Sequence, residues 1–292
     1  MTTRTLQHVI PSMPTSDGAG VKLRRSIGAQ RGLYLDPFLM LDEFGTDNPG
    51  DYIAGFPAHP HRGFETVTYM LDGRMQHRDH LGNVGDLGPG GVQWMTAGRG
   101  VIHSEMPLQE SGRMRGFQLW INLPAREKMK PAWYRDIPAS EIPAHGLPGG
   151  GTVKVIAGTT QVGDATVSGP INPPTATLST DPLYLDLVLP AGAHFEQAIG
   201  SMHTAFIYAY EGQVVIGDGA AAKALPTQAA GVLTPGDTVR VTAGPNGARA
   251  VLIAGLPIRE PIVQYGPFVM NTREEIEQAI RDYNDGTLAK VA

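Results

Sequence analysis

Short apolar runs and alternation with a period of two dominate the pattern of hydrophobic and polar positions along the chain. Such segments, bounded by Gly, Pro or Asp, are typical of β-strands. They predict strands at residues 67–71, 117–123, 153–158, 183–189, 205–210 and 248–255. The pattern therefore predicts a chain that is mainly all-β.

Two segments carry helical signals instead. Near the C-terminus, Thr272 and Glu275 have the spacing of a capping box, the next apolar residues fall on one stripe, and Gly286 is a stop signal. We expect one short terminal helix there. A second helical stretch fits between Pro124 and Pro131, and these prolines limit it to a turn or two.

Composition narrows the class of protein. A chain of 292 residues with 41% hydrophobic residues can form two domains or one large β domain with an ordinary core. The 37 Gly and 24 Pro favour many turns over long helices. The net charge is -5, from 23 basic and 28 acidic residues without a basic block, so direct nucleic-acid binding is not expected.

The chain contains no cysteine. This excludes disulfides, thiolate ligands and a cysteine nucleophile, and with them a small oxidised secreted scaffold. The first residues lack the apolar region of a signal peptide, and no apolar run reaches the roughly 18 residues of a membrane span. We therefore expect a cytoplasmic protein with no membrane association.

Two short motifs carry the candidate chemistry: HPHRGFE, which begins at His59, and GRGVIHSEMP, which contains His103 and Glu105. In an extended strand, residues two apart point to the same face, so each motif can supply two ligands to one point. Pro60 favours extended geometry at the residue before it. Together the motifs supply three imidazoles, from His59, His61 and His103, and the carboxylate of Glu105. This donor set suits a divalent first-row metal with open coordination positions. Structural zinc is the alternative, although such sites usually use cysteine.

The two halves of the chain share an internal duplication. The segment at 65–73 aligns with 204–212, and the segment at 89–98 aligns with 235–244. In this register the four candidate ligand positions are occupied in the second half by Ala198, Gly200, Arg249 and Val251.

This duplication predicts the domain organisation. We expect an N-terminal domain with the metal site at residues 1–137 and a connecting segment with one strand at 138–182. A C-terminal domain without metal ligands, which includes the terminal helix, would occupy residues 183–292.

Five longer motifs resemble the pirin family of bicupins: DPFLMLDEFG from 36, HPHRGFETVTYML from 59, HRDHLGN from 77, QWMTAGRGVIHSEMP from 93 and PIVQYGPFVMNTREEI from 261. The resemblance spans most of the chain. It implies two cupin (jelly-roll) β-barrels, with metal bound only in the N-terminal barrel. The implied ligands are His59, His61, His103 and Glu105. The implied metal is Fe(II), and the same ligands could also hold Mn, Co, Ni, Cu or Zn.

Glu65 is the alternative carboxylate ligand. The general cupin motif HxHxxxE includes Glu65, which shares a predicted strand face with His61. Because pirins use the later HxE pair, Glu105 is favoured as the ligand. Glu65 would then accept an N–H from a ligating imidazole, or it would be a buried, hydrogen-bonded strand residue. His77 and His80 are expected to lie on the surface.

The resemblance also implies a reaction. The leading hypothesis is a quercetin 2,3-dioxygenase-like oxygenase that uses dioxygen to open the ring of a flavonol or related enol, with Glu105 also acting as a catalytic base. The alternative is an iron-binding, redox-sensitive regulator that acts through a protein partner, since pirins are also described as co-regulators. A purely structural metal is a third interpretation. The fold alone does not decide between them.

Overall fold

The computed structural model describes residues 2–30 and 32–290. The strands of the first half are β1 (Thr3–Arg4), β2 (Leu6–Pro11), β3 (Met13–Asp17), β4 (Val21–Arg25), β5 (Phe38–Thr46), β6 (Phe56–His61), β7 (Phe64–Asp72), β8 (Met75–Asp79), β9 (Val84–Leu87), β10 (Val92–Thr96), β11 (Val101–Pro107), β12 (Met114–Asn122) and β13 (Trp133–Ile137). Those of the second half are β14 (Ala144–Gly146), β15 (Thr152–Ala157), β16 (Thr159–Val162), β17 (Ala165–Ser168), β18 (Leu183–Leu189), β19 (His194–Ala198), β20 (Thr204–Ile216), β21 (Lys223–Leu225), β22 (Ala229–Leu233), β23 (Thr238–Gly255), β24 (Val263–Tyr265) and β25 (Phe268–Met270).

Helices are short, as predicted. They are α1 (Ala125–Lys128) and α2 (Arg273–Asn284), with 3-10 turns at Pro49–Asp51, Ala139–Glu141 and Gly219–Ala221. Every predicted strand overlaps a strand of the structure, with residues 123 and 158 lying one position beyond the observed ends, and the all-β prediction is confirmed. Within residues 2–30 and 32–290, none of the helices has the length and apolar character needed to cross a membrane.

The chain divides into two compact units, each built from two separate stretches. The N-terminal unit comprises Met13–Ala139 and Ile258–Ala292, and the C-terminal unit comprises Met1–Ser12 and Ser140–Pro257. The first stretch belongs to the C-terminal unit because β2 pairs with β22. The sequence-based division instead assigned residues 1–12 to the N-terminal domain and residues 258–292 to the C-terminal domain. Pairing with a remote strand edge leaves no local signal in the sequence.

The segment at 138–182 also differs from its prediction. It holds β14, β15, β16 and β17 rather than one strand, and β15 pairs with β18 of the large sheet. This segment is therefore part of the C-terminal unit and not a simple connection.

The N-terminal unit contains two larger antiparallel sheets and the two-stranded sheet of β24 and β25. The seven-stranded sheet has the order β13-β10-β7-β12-β5-β4-β3, and the four-stranded sheet has the order β6-β11-β8-β9. β7 lies between β10 and β12, so both of its edges are hydrogen-bonded, and its residues form a nearly continuous buried run. The four-stranded sheet carries both candidate ligand motifs, on β6 and β11.

The C-terminal helix belongs to the N-terminal unit. Its predicted capping box is confirmed: the Glu275 backbone N–H donates to Thr272 Oγ1 at 3.2 Å, and the Thr272 N–H donates to Glu275 Oε2 at 3.0 Å. The helix buries Ile276 and Ala279 in a cluster with residues of β25. The second predicted helical stretch is α1.

The C-terminal unit is built around a ten-stranded sheet in which β20 and β23 are long central strands. β19 pairs with residues 238–242 of β23, as β6 pairs with β11 in the other unit. Arg249 and Val251, which the duplication placed at the positions of the second ligand motif, lie further along β23 and oppose β18 and β20. That part of the alignment is wrong, because the shared words join strands with different pairing partners.

Candidate metal centre

Three histidines converge in the N-terminal unit. β6 supplies His59 and His61, and the antiparallel neighbour β11 supplies His103 directly opposite His59. The ring centroids are 4.7 Å apart for His59 and His61, 4.4 Å for His59 and His103, and 4.9 Å for His61 and His103. One candidate ligand nitrogen from each residue lies within 4.8 Å of the others. The three histidines of the two motifs therefore meet at one point, and His59 and His61 share a face, as strand periodicity predicts.

The chemical state of the histidines fits a cation. Nδ1 of His59 lies 2.8 Å from the Pro57 carbonyl oxygen, which can only accept, so Nδ1 carries a hydrogen and the neutral ring has its lone pair on Nε2. That Nε2 is 3.0 Å from Nε2 of His61. Nε2 of His103 is buried and has no hydrogen-bond partner in the described part of the chain. A metal would satisfy these nitrogens together.

Burial changes the pKa of two of these three imidazoles. It lowers the pKa of His61 and of His103 well below the ordinary value, and the neighbouring histidines lower each pKa further. Both rings are therefore neutral near pH 7, and a neutral imidazole is the form that binds metals. The donor set thus fits a divalent first-row metal.

Glu105 lies beside this group. It is buried on β11, two residues after His103, and a register shift relative to β6 separates the two. The Thr68 hydroxyl lies 3.0 Å from Glu105 Oε1 and 2.6 Å from Gln118 Oε1, and its single hydrogen can be donated to either oxygen. The converging group contains the three histidines and not Glu105, so its role as a ligand stays a prediction.

Glu65 has other partners. Its Oε1 accepts a hydrogen bond from Thr96 Oγ1 at 2.6 Å, and its Oε2 accepts one from Trp94 Nε1 at 3.1 Å. Burial raises the pKa of Glu65, and the hydrogen bond from Thr96 and the nearby Lys130 oppose this rise. These contacts match the predicted alternative, a buried hydrogen-bonded strand residue, and they include no imidazole.

The prediction for His77 is wrong. His77 is 2% exposed, and its Nδ1 lies 3.2 Å from Nδ1 of His103. The reason is local: β8 continues to Asp79, so His77 lies within a strand and not in a turn. Met75 and His77 alternate inward along β8, a weak signal that could have identified the buried face. His80 is exposed, as predicted.

A cavity of about 970 Å³ adjoins the histidines and lies between the two sheets of the N-terminal unit. His59, His61 and Glu105 line it together with Thr68 and Gln118. Much of the remaining wall is apolar or aromatic: Leu23, Leu39, Met40, Phe44, Phe56, Met75 and Trp120. A mainly apolar cavity beside a polar, metal-competent group is typical of a small-molecule site.

Sequence reasoning missed several residues of this wall. Arg25 donates two hydrogen bonds of 2.7 Å to the carboxylate of Asp42. Burial raises the pKa of Asp42 to about 6, although Arg25 acts in the opposite direction. The hairpin of β24 and β25 adds residues 264–267 to the wall. These residues form no motif and come from distant parts of the chain, so only the fold brings them together.

Comparison with known proteins identifies the family. The model of the family described as Pirin matches residues 20–121, and that of the Pirin C-terminal cupin domain matches residues 184–289. A Pseudomonas aeruginosa protein, provisionally named a quercetin 2,3-dioxygenase, is 54% identical over 94% of this chain and 95% of its own. Human pirin is 45% identical over 94% of this chain and 90% of its own.

A solved structure is similar over the full length. The crystal structure titled quercetin 2,3-dioxygenase from Acinetobacter baumannii matches with a TM-score of 0.87 and 33% identity, covering 99% of this chain and 100% of that chain. Together these matches confirm the predicted fold class of two cupin domains with a short C-terminal helix.

Proposed function

The chain belongs to the pirin family, and we propose that it is a metal-dependent oxygenase that opens the ring of a flavonol or related enol with dioxygen. The observation that carries this proposal is the convergence of three histidines, two of which, His59 and His61, line a large, mainly apolar cavity. The similarity to a structure titled quercetin 2,3-dioxygenase supports the same reaction class.

His59, His61 and His103 would hold the metal through ring nitrogens, with Glu105 as a fourth ligand. When bound, the metal supplies Lewis acidity towards an enol oxygen and access to the redox chemistry of dioxygen. We propose Fe(II), because imidazole and carboxylate ligands with open positions suit it. The same donors also accept Mn, Co, Ni, Cu or Zn.

Glu105 is proposed to have a second role as a base. Its carboxylate lines the cavity, so a substrate hydroxyl can come within hydrogen-bond reach of it. The Thr68 hydroxyl lies 3.0 Å from Oε1, and a carboxylate that loosens its bond to the metal can take the hydroxyl proton. Glu105 would therefore hold the substrate proton next to the point where the histidines converge.

The apolar wall sets the class of substrate. Aromatic and aliphatic side chains such as Phe44, Phe56 and Trp120 can pack against a planar ring system and exclude water from it. The polar pair of Arg25 and Asp42 in the same wall can hydrogen-bond ring hydroxyls. A flavonol has both a planar ring system and ring hydroxyls, which supports this substrate class.

The competing function is an iron-binding, redox-sensitive regulator that acts through a protein partner. It would use the same metal ligands but would not need an apolar cavity beside them. The cavity therefore favours the enzyme.

Replacing Glu105 with Gln tests the proposal. After reconstitution with Fe(II), wild-type protein should consume quercetin, measured by loss of its visible absorbance, and Glu105→Gln should lose turnover far more than it loses iron. Glu110→Gln, an exposed neighbour, is the matched control and should retain both. Equal loss of iron and turnover would reduce Glu105 to a ligand. Iron-loaded wild type that leaves quercetin unchanged would contradict the oxygenase and favour the regulator.

A further inference from the structure

We propose that His77 is a positioning residue of the metal centre: its Nδ1 accepts the hydrogen carried by Nδ1 of His103 and so holds Nε2 of His103 towards the metal. This inference rests on the three-histidine metal centre of the proposed function. It gives a role to a buried residue that contacts a proposed ligand without joining the converging group.

The geometry of the two rings carries the inference. Their Nδ1 atoms are 3.2 Å apart, and the ring centroids are 5.0 Å apart at an interplanar angle of 50°. The strands β8 and β11 are paired, and His77 is opposite Glu105 in the register. His77 therefore lies on the strand next to both residues of the second ligand motif. Both histidines are buried, with 2% and 1% exposure.

A neutral imidazole carries one hydrogen, so the contact allows two arrangements. If the hydrogen lies on Nδ1 of His103, then its Nε2 keeps a lone pair, and the hydrogen of the His77 ring lies on Nε2 of His77. Among the described residues, both of these Nε2 atoms are buried without a hydrogen-bond partner. If the hydrogen lies on Nδ1 of His77, then Nε2 of His103 carries a hydrogen and cannot bind a metal. Only the first arrangement supplies a lone pair from each of the three histidines.

His59 has a corresponding hydrogen-bond arrangement. Its Nδ1 donates to the Pro57 carbonyl oxygen, which leaves Nε2 free for a metal. An acceptor on the far nitrogen fixes the tautomer and the ring orientation of a metal-binding histidine. In this centre a backbone carbonyl would do so for His59, and an imidazole would do so for His103.

The ring of His77 is itself held in place. It packs against the ring of Tyr134, with centroids 5.2 Å apart and an interplanar angle of 35°. β8 also pairs with β9 on its other side. The acceptor is therefore fixed by its own packing, and its direction does not depend on the presence of a metal.

Variants at this position test the inference through Co(II) binding, measured by chelator competition and by the visible spectrum of the bound ion. His77→Leu removes the acceptor and should weaken Co(II) binding about 10- to 100-fold. His77→Gln restores an acceptor oxygen and should recover most of the affinity. His80→Gln, an exposed histidine just after the same strand, should bind as wild type does. Wild-type affinity in His77→Leu, or equal losses in His77→Leu and His77→Gln, would overturn the inference.

A second measurement needs no variant at His77 and separates this inference from the proposed function. The nitrogen shifts of ¹⁵N-histidine in metal-free wild-type protein report which ring nitrogen carries hydrogen, with the His103 signals assigned by comparison with His103→Gln. We expect hydrogen on Nδ1 of His103, and hydrogen on its Nε2 would overturn the inference. If wild-type protein instead fails to bind Co(II) at all, the metal centre of the proposed function is what fails.

Discussion

The ion pair of Arg62 and Asp282 lies next to the ligand strand β6, and we expect it to stabilise the N-terminal unit. Arg62 directly follows His61, and its Nη1 donates to Asp282 Oδ2 at 2.7 Å. The two side chains are only 5% and 23% exposed. Arg62 Nε also donates to the Arg99 carbonyl oxygen. Replacing Asp282 with Asn removes the negative charge, keeps the size of the side chain and leaves a buried cation.

The structure sets the magnitude. Removing one partner of a buried ion pair costs about 3 to 5 kcal/mol. The amide oxygen of Asn can still accept a neutral hydrogen bond from Arg62, which recovers about 0.5 to 1.5 kcal/mol. We therefore expect Asp282→Asn to lower the free energy of unfolding by about 1.5 to 4.5 kcal/mol, or the Tm by about 3 to 18 °C for units of this size.

The effect should depend on pH. Burial alone would raise the pKa of Asp282, but hydrogen bonds from Arg62 and Gln278 outweigh it and hold the pKa below the ordinary value of 3.8. A lowered carboxyl pKa stabilises the fold above the unfolded-state pKa, and this contribution is lost as the pH falls through the folded-state pKa. The difference between wild type and Asp282→Asn should therefore be complete at pH 7 and shrink below about pH 4.

Urea unfolding at pH 7 and at lower pH measures this difference. Glu277→Gln is the matched control on the same helix, because Glu277 pairs with Arg273 at 3.1 Å where both side chains are exposed. Such an exposed pair contributes about 0.3 to 0.5 kcal/mol. A loss in Asp282→Asn no larger than that of Glu277→Gln, or a loss that does not change with pH, would refute the reasoning.

Three further substitutions have defined outcomes. Burial lowers the pKa of Lys128 from 10.5 to about 8, so the stability of wild type relative to Lys128→Met should rise from pH 8 to pH 10.5 in urea unfolding. Gly63 has φ +91, and an added Cβ would collide with a backbone carbonyl oxygen, so Gly63→Ala should lower the free energy of unfolding by about 2 kcal/mol or more. In Gly20→Ala the added Cβ meets no atom, so thermal unfolding should show a smaller loss of stability. Thr68→Val removes the hydroxyl beside Glu105 and should lower quercetin turnover about 10-fold or more, with unchanged turnover contradicting the proposed contact.

The convergence of the histidines could be predicted because it follows from short-range geometry. Alternate residues of a strand share a face, so each motif needs only one strand to present its pair. The pairing of β6 with β11 then places His103 beside His59 and His61, and this long-range contact is not encoded within either motif. The capping box of α2 and the limits on α1 are equally local, and the structure confirms them.

The remaining features depend on contacts between distant parts of the chain. The exchange of terminal segments rests on pairing such as that of β2 with β22, and nothing within residues 6–11 encodes that partner. The burial of His77 depends on where β8 ends, which the turn residues after it obscured. The part of the internal alignment that placed Arg249 and Val251 was wrong because short Gly-containing segments recur at turns whose strands have different pairing partners.

Dioxygen uptake by the Fe(II)-reconstituted protein with quercetin tests the central claim most directly, when it is run beside a His61→Ala variant prepared identically. His61 is one of the three converging histidines and lines the cavity, so the variant should lose both bound iron and uptake. The account predicts quercetin-dependent uptake by wild type that disappears in the variant. Wild-type protein that holds iron but takes up no dioxygen, or uptake that persists in His61→Ala, would contradict it.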